Sequence, residues 1–139
     1  MIINVLPTVN ENGDAYALLE PLVITWRDKK LEVPVGFRCD GCSVPEFLWG
    51  TVSPKIDPRT IRGATAHDYI YRTHPDGWTR KEADELFYDI IYKDGLSWWR
   101  SQKAYWGVRI FGGSAWDAQE KKMLKTVYAI IKKWRKERC

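Results

Sequence analysis

A histidine, two aspartates and a tyrosine stand at positions suited to acid–base chemistry. His67 directly precedes Asp68, and Tyr71 follows one helical turn after the histidine. A later aspartate, Asp84, lies in a segment whose apolar residues repeat at helical spacing. A carboxylate that binds one imidazole nitrogen fixes the tautomer and supports the positive charge of the ring, so the other nitrogen can take a proton from water. The pattern therefore predicts a His67–Asp84 pair with Tyr71 beside it.

Two predicted helices would position these residues. The first runs over about 58–72, with Pro58 at its first position. The second begins after Thr79, which forms a capping box with Glu82, and runs to about residue 93. The loop between them is short, so we expect the helices to pack antiparallel with their polar residues facing each other. The same residues would also suit a buried hydrogen-bond network that only joins two helices.

The order of the predicted elements indicates an α+β fold in a single domain of 139 residues. Residues 1–37 are rich in short apolar runs and predict a small antiparallel β region. Residues 38–57 predict a loop, and 58–139 predict about four helices. The third helix begins near Ser97, and Ser114 is the predicted cap of the fourth.

Composition excludes several classes of protein. The chain is 45% hydrophobic and 14% aromatic, which argues against disorder. No apolar run is long enough for a transmembrane helix, and the first residues lack the basic and apolar regions of a signal peptide. The net charge is +4, and much of it lies in the stretch 132–138. No nucleic-acid recognition motif is present, so we expect no specific nucleic-acid binding.

The C-terminal half combines aromatic and basic residues. Trp98, Trp99 and Trp106 mark the third predicted helix. The last helix places apolar residues at helical spacing with lysines opposite, and the apolar positions are Met123, Leu124, Val127, Ile130, Ile131 and Trp134. Such a helix suits a membrane surface, but the pattern favours packing on a domain core or on a partner subunit.

The motif His67-Asp68-x-x-Tyr71, followed by Asp84, resembles the bacterial and fungal branch of phospholipase A₂. The resemblance covers about residues 40–90. It implies that His67 is the general base, that Asp84 orients it and that Tyr71 braces the pair. The function it implies is ester hydrolysis of phospholipid by a Ca²⁺-dependent His–Asp dyad, with phospholipid or a membrane surface as the partner.

The same resemblance implies a calcium site. Asp68, beside the histidine, would be one ligand. The turn at Asp40 and Gly41 resembles the upstream calcium loop of that family, so these two residues would supply further oxygens. Carboxylate and carbonyl oxygens are the ligands that Ca²⁺ prefers.

A second resemblance covers nearly the whole chain. Ordered motifs are similar to those of a family of small phage and prophage proteins of unknown function. They are Val35-Gly36-Phe37, Asp40-Gly41-x-Ser43-x-Pro45, His67-Asp68-x-x-Tyr71, Ala83-Asp84 and Val108-Arg109-x-Phe111-Gly112. This resemblance implies a viral origin and a location in the host cytoplasm or the virion. It also implies an alternative function, a non-enzymatic virion or tail-associated structural protein that keeps the helix pair as a scaffold and binds other phage structural proteins.

Overall fold

The computed structural model describes residues 2–3, 8–9, 16–39 and 58–138. Small antiparallel sheets precede four helices, which confirms the predicted α+β class. The strands are Ile2–Ile3 (β1), Thr8–Val9 (β2), Tyr16–Ala17 (β3), Leu22–Trp26 (β4), Lys29–Val33 (β5) and Arg38–Cys39 (β6). The helices are Ile61–Thr73 (α1), Arg80–Lys93 (α2), Trp98–Phe111 (α3) and Gly113–Arg138 (α4).

The sheets have the strand orders β1-β4-β5 and β2-β3-β6, and all their pairings are antiparallel. The β4–β5 hairpin pairs Trp26 with Lys29, so its turn consists of Arg27 and Asp28. Both turn residues have positive φ, 46° and 63°. Two consecutive positive φ angles match the twist of the flanking strands. The hairpin keeps its apolar side chains on one face, because Leu22, Ile24, Trp26, Leu31 and Val33 are all buried.

The helix pair α1–α2 divides the core into two clusters. Ile70 of α1 and Leu86 and Ile90 of α2 pack with the buried face of the β4–β5 hairpin. Phe87 and Ile91 pack on the other side with Leu96 and with Val108 of α3. Since α1 and α2 contribute to both clusters, their shared interface lies at the centre of the protein.

Two predicted helix starts are wrong by a few residues. The turn at 58–60 precedes α1, which begins at Ile61 instead of Pro58. Ile61 packs against buried Cys39, which ties the first turn of the helix to β6. Ser114 lies inside α4 instead of capping it, because α4 begins at Gly113 directly after Gly112, which remains in the right-handed region. The capping box of Thr79 and Glu82 at the start of α2 is confirmed.

Apart from its first turns, α4 is exposed to solvent. Every described side chain from Glu120 to Glu137 is exposed. Trp116, in the first part of the helix, packs against the main core. Among the described residues, no helix is both long enough and apolar enough to cross a bilayer.

Candidate functional site

The antiparallel packing of α1 and α2 brings distant residues of the sequence together. Near the start of α1, Arg62 binds the carboxylate of Asp94, just beyond the end of α2, at 3.0 Å from Nε and 2.5 Å from Nη2. Gly63 allows the helices to approach closely, because a Cβ there would lie 2.7 Å from Cγ2 of Ile91. The middle turns of the two helices therefore face each other.

His67 and Asp84 meet at this interface. The distance from Nε2 of His67 to Oδ1 of Asp84 is 2.7 Å, so the predicted hydrogen bond is present. The Tyr71 hydroxyl donates to the same carboxylate oxygen at 2.7 Å. The side chains of His67 and Asp84 are only 2% and 0% exposed. The structure thus brings together the three residues predicted to form the dyad and its brace, in the interior of the protein.

Two arginines complete the network, and neither was predicted to belong to the site. Arg109 of α3 donates from Nη1 to the second oxygen of Asp84 at 2.8 Å. Arg80 donates from Nε to the Tyr71 hydroxyl at 3.2 Å and from Nη2 to the carbonyls of Val108 and Arg109 at 2.9 and 2.6 Å. A cation at these carbonyls is favourable, since the C-terminal end of a helix carries partial negative charge.

These contacts set the charges of Asp84, Tyr71 and Arg109. Burial raises the pKa of Asp84, but hydrogen bonds from His67, Tyr71 and Arg109 outweigh burial, so the pKa lies below its usual range. Burial, followed by the neighbouring Asp84 charge, raises the pKa of Tyr71 well above its usual range. The hydrogen bond to Asp84 raises the pKa of Arg109. At neutral pH the centre is therefore a carboxylate that accepts from an imidazole, a neutral phenol and a guanidinium.

The other imidazole nitrogen of His67 differs from the rest of the network. Nδ1 is buried and has no hydrogen-bond partner in the part of the chain that the structure describes. The ring lies beside Tyr71 and Phe87, with centroid distances of 4.1 and 5.1 Å. A buried polar atom without a partner costs about 1–3 kcal/mol. The described residues therefore leave one nitrogen of this histidine without a hydrogen bond.

The α3–α4 junction closes the tyrosine side of the site. Trp116 packs edge-on against Tyr71 at a centroid distance of 5.2 Å and stacks on His74 at 3.7 Å. A Cβ on Gly112 would lie 2.7 Å from the Tyr71 hydroxyl. The second histidine of the chain, His74, contacts Trp116, whereas the side chains that bind Asp84 among the described residues are those of His67, Tyr71 and Arg109.

The predicted calcium ligands are not assembled by the described residues. Asp68 forms an ion pair with Arg72, at 2.9 Å between Oδ2 and Nη2. Asp40 and Gly41 lie outside the described residues. Within the described ranges, no group of three or more His, Cys, Asp or Glu side chains could hold a metal ion. Ca²⁺ takes about six to eight oxygen ligands, and two of the three predicted ligands lie outside the described residues, so the calcium site stays a prediction.

A polar cavity of about 390 Å³ lies on the outer side of α2 and α3. It lies between the tip of the β4–β5 hairpin and the two helices, and its lining consists of Arg27, Lys81, Glu85, Tyr88, Asp89, Gln102 and Tyr105. That lining includes neither His67 nor Asp84, so this cavity does not open onto the dyad.

With this geometry established, comparisons define the class of the protein. The sequence model of a family of unknown function, DUF1353, matches residues 16–108, which is more than half of the 139 residues. The chain therefore belongs to that family. The matched segment contains His67, Tyr71 and Asp84 and ends one residue before Arg109.

The chain is also similar to the uncharacterized protein y4jT of Sinorhizobium fredii (strain NBRC 101917 / NGR234). The two are 28% identical over 83 residues, which cover 60% of this chain and 24% of the relative. The chain thus corresponds to about a quarter of the length of that relative. No solved structure matches the chain.

Proposed function

We propose that the protein is an ester hydrolase of the phospholipase A₂ type, in which His67 acts as a general base. The observation that carries the proposal is the asymmetry of this imidazole. Its Nε2 is held by Asp84 at 2.7 Å, whereas its buried Nδ1 has no partner among the described residues. A histidine that served only to join two helices would gain stability by satisfying both nitrogens.

The chemistry follows from these positions. Nδ1 of His67 takes a proton from water while the water oxygen forms a bond to the ester carbonyl carbon. The bond between that carbon and the leaving oxygen then breaks, and the imidazolium returns the proton to the leaving alkoxide. Asp84 supports the imidazolium through Nε2, and Tyr71 and Arg109 keep the carboxylate ionised and oriented.

Two features of the site shape this activity. His67 is 2% exposed, so the residues that cover the imidazole must move before water and substrate reach Nδ1. Arg109 shares the charge of Asp84, which reduces the support that the carboxylate gives to the imidazolium.

Phospholipid as the substrate class is inferred from the resemblance of the motifs at 67–71 and 84, and the same resemblance supports Ca²⁺ as a cofactor. The test is fatty-acid release from phospholipid vesicles by the full chain, measured with added Ca²⁺ and with a chelator. His67→Gln should lower the rate by roughly 100-fold or more, the usual contribution of a general base. A chelator should abolish release if Asp68 and the Asp40–Gly41 turn hold the ion.

The second histidine provides a matched control. His74→Gln removes an imidazole of the same type that stacks on Trp116 and lies outside the dyad, so it should leave the rate unchanged. Circular dichroism should show that both variants are folded. The proposal fails if the folded wild-type chain releases no fatty acid from any phospholipid offered, or if His67→Gln is as active as His74→Gln.

A phage structural protein is the second candidate. The long exposed helix α4 favours it, because virion and tail components require surfaces for other proteins. In that case the dyad is a scaffold, the chain is found in the assembled virion or in the host cytoplasm, and it copurifies with phage particles. Copurification together with an inactive wild-type chain would replace the hydrolase proposal with this one.

A further inference from the structure

The net positive charge of the protein resides in α4. This helix carries eight basic residues and three acidic residues, a net charge of +5. The complete chain has 22 basic and 18 acidic residues, so the other residues include 14 basic and 15 acidic ones. One helix of 26 residues therefore gives an otherwise nearly neutral protein its basic character.

The same helix exposes an apolar face. We call this face the α4 apolar face, and its side chains, which are between 36% and 69% exposed, are Met123, Leu124, Val127, Tyr128, Ile130 and Ile131. Their spacings of three and four residues place them on one side of an α-helix. An exposed apolar strip that is flanked by charged residues is typical of a surface that binds a membrane or another protein.

Lysines occupy the opposite side. At about 100° per residue, they point away from the α4 apolar face, and their positions are Lys121, Lys122, Lys125, Lys132, Lys133 and Lys136. A helix with one apolar side and one lysine side lies in the plane of a membrane surface, since its lysines stay with the anionic headgroups while its apolar side chains enter the acyl boundary.

The preceding helix, α3, supplies an independent observation. Trp99, Trp106 and Ile110 are exposed, and their spacings of seven and four residues place them on one side of α3. Lys103 lies on the same side, 5.5 Å from the centroid of the Trp99 ring. Tryptophan is the residue most typical of the membrane–water interface. Two successive helices thus expose apolar side chains beside cations.

We propose that α4 docks the protein onto an anionic phospholipid surface. Charge complementarity selects this occupant. A second copy of the chain would place another helix of charge +5 against the first, which is unfavourable. A bilayer that contains anionic lipid neutralises the lysines and accepts the apolar face at the same time. This docking proposal rests on the proposed function, because the docking surface and the hydrolase site would both bind phospholipid.

The experiment measures binding without turnover. The full chain is sedimented with vesicles in the presence of chelator, using vesicles of phosphatidylcholine alone and vesicles that also contain phosphatidylglycerol. The wild type should bind the anionic vesicles, bind the neutral ones weakly and dissociate as salt is raised. The variant Lys125→Gln/Lys132→Gln/Lys136→Gln should bind the anionic vesicles roughly 100-fold more weakly, since each lysine near an anionic surface contributes about 1 kcal/mol.

A control variant changes the net charge equally at exposed positions on other elements. Lys30→Gln/Arg38→Gln/Lys93→Gln should bind as the wild type does. The variant Val127→Ser/Ile131→Ser keeps every lysine and should also lose binding, because the apolar face is needed as well. Loss of binding in the control, or no loss in the α4 variants, would show that general charge drives adsorption and would overturn the proposal.

Sedimentation equilibrium of the chain alone tests the competing occupant. A dimer that Val127→Ser/Ile131→Ser dissociates would assign the α4 apolar face to a second copy. Hydrolysis of a short-chain phospholipid below its critical micelle concentration separates this inference from the proposed function. Monomer hydrolysis without vesicle binding overturns only the docking surface, whereas vesicle binding without any hydrolysis overturns only the enzyme.

Discussion

Helices α2 and α4 have similar amphipathic patterns, but they differ in whether their apolar side chains are buried. The apolar stripe of α2 is buried, and Phe87, Ile90 and Ile91 have no exposed surface. The apolar stripe of α4 is exposed from Met123 onward. Amphipathicity alone therefore predicts that a helix has a contact face, and it does not predict whether the contact lies within the same chain.

The difference lies in the polar residues inside each stripe. On α2, Asp84 stands among apolar neighbours, and its charge is matched by donors from α1 and α3. A buried carboxylate is tolerated only where several donors converge on it, so its presence specifies a particular arrangement of three helices. The apolar stripe of α4 contains no comparable residue that requires a fixed partner.

Removing the central carboxylate should have the largest effect. In Asp84→Ala, the Arg109 guanidinium loses its buried counter-ion and the Tyr71 hydroxyl loses its acceptor. We expect the free energy of unfolding to fall by about 3–5 kcal/mol, the usual cost of breaking a buried ion pair on one side. Urea denaturation followed by circular dichroism measures it.

Asp117→Ala is the matched change on α4, where the aspartate is exposed. It should alter the free energy of unfolding by less than about 0.5 kcal/mol. If Asp84→Ala and Asp117→Ala lowered the free energy of unfolding equally, Asp84 would not distinguish the buried face of α2 from the exposed face of α4.

The stability contributed by Asp84 should depend on pH. Its pKa is lowered in the folded protein, because its hydrogen bonds outweigh the effect of burial, so the unfolded chain binds the proton more tightly. The contribution is therefore complete above about pH 4, the ordinary range of an aspartate, and is lost as pH falls through the lower folded pKa. Protonation leaves the side chain in place, so this loss should be smaller than that in Asp84→Ala.

The measurement compares the wild type with Asp84→Asn over acidic pH, because other carboxylates titrate equally in both proteins. The difference in the free energy of unfolding between the two should shrink as pH falls. A difference that stays constant would mean that Asp84 keeps its charge state on unfolding, contrary to the network.

Two glycines test how closely the helices approach. In Gly63→Ala, the new Cβ meets Ile91 at 2.7 Å and Phe87 at 3.2 Å, so α1 and α2 must separate. The cost should be about 1–3 kcal/mol, as for other overpacked cores. At Gly113 a Cβ meets nothing closer than 3.7 Å, and Gly113→Ala should stabilise α4 by about 0.5–1 kcal/mol. Thermal denaturation of both variants should show shifts of opposite sign.

The sequence predicted the dyad because its signals are local. The capping box at Thr79 and Glu82 and the short turn before it determine where α2 begins and which way it runs. Helical spacing then brings Asp84 opposite His67. No role in the site was predicted for Arg109, because it reaches Asp84 only through the packing of α3 and no spacing rule relates residues 25 positions apart on different helices.

Neither the start of α1 nor the partner of Asp68 is determined by a local sequence signal of this kind. The start of α1 shifted to Ile61 because its contact with Cys39 belongs to tertiary packing. Asp68 pairs with an arginine four residues later on the same helix, and the calcium site predicted for it stays a prediction. The pattern at 67–72 contained both options, since a carboxylate can bind a metal or a neighbouring guanidinium with equal ease.

The smallest expected effect concerns the α4 apolar face in the absence of vesicles. Val127 and Ile131 are 51% and 43% exposed, so truncating either to alanine removes few contacts within the protein. We expect Val127→Ala and Ile131→Ala to change the free energy of unfolding by less than about 0.5 kcal/mol each. Ile90→Ala, at a fully buried position of α2, should cost about 2–5 kcal/mol.

A loss of more than about 1 kcal/mol in either α4 variant would be typical of a buried position. The α4 apolar face would then be covered in solution by its own chain or by a second copy. The membrane would then have no exposed apolar strip to bind.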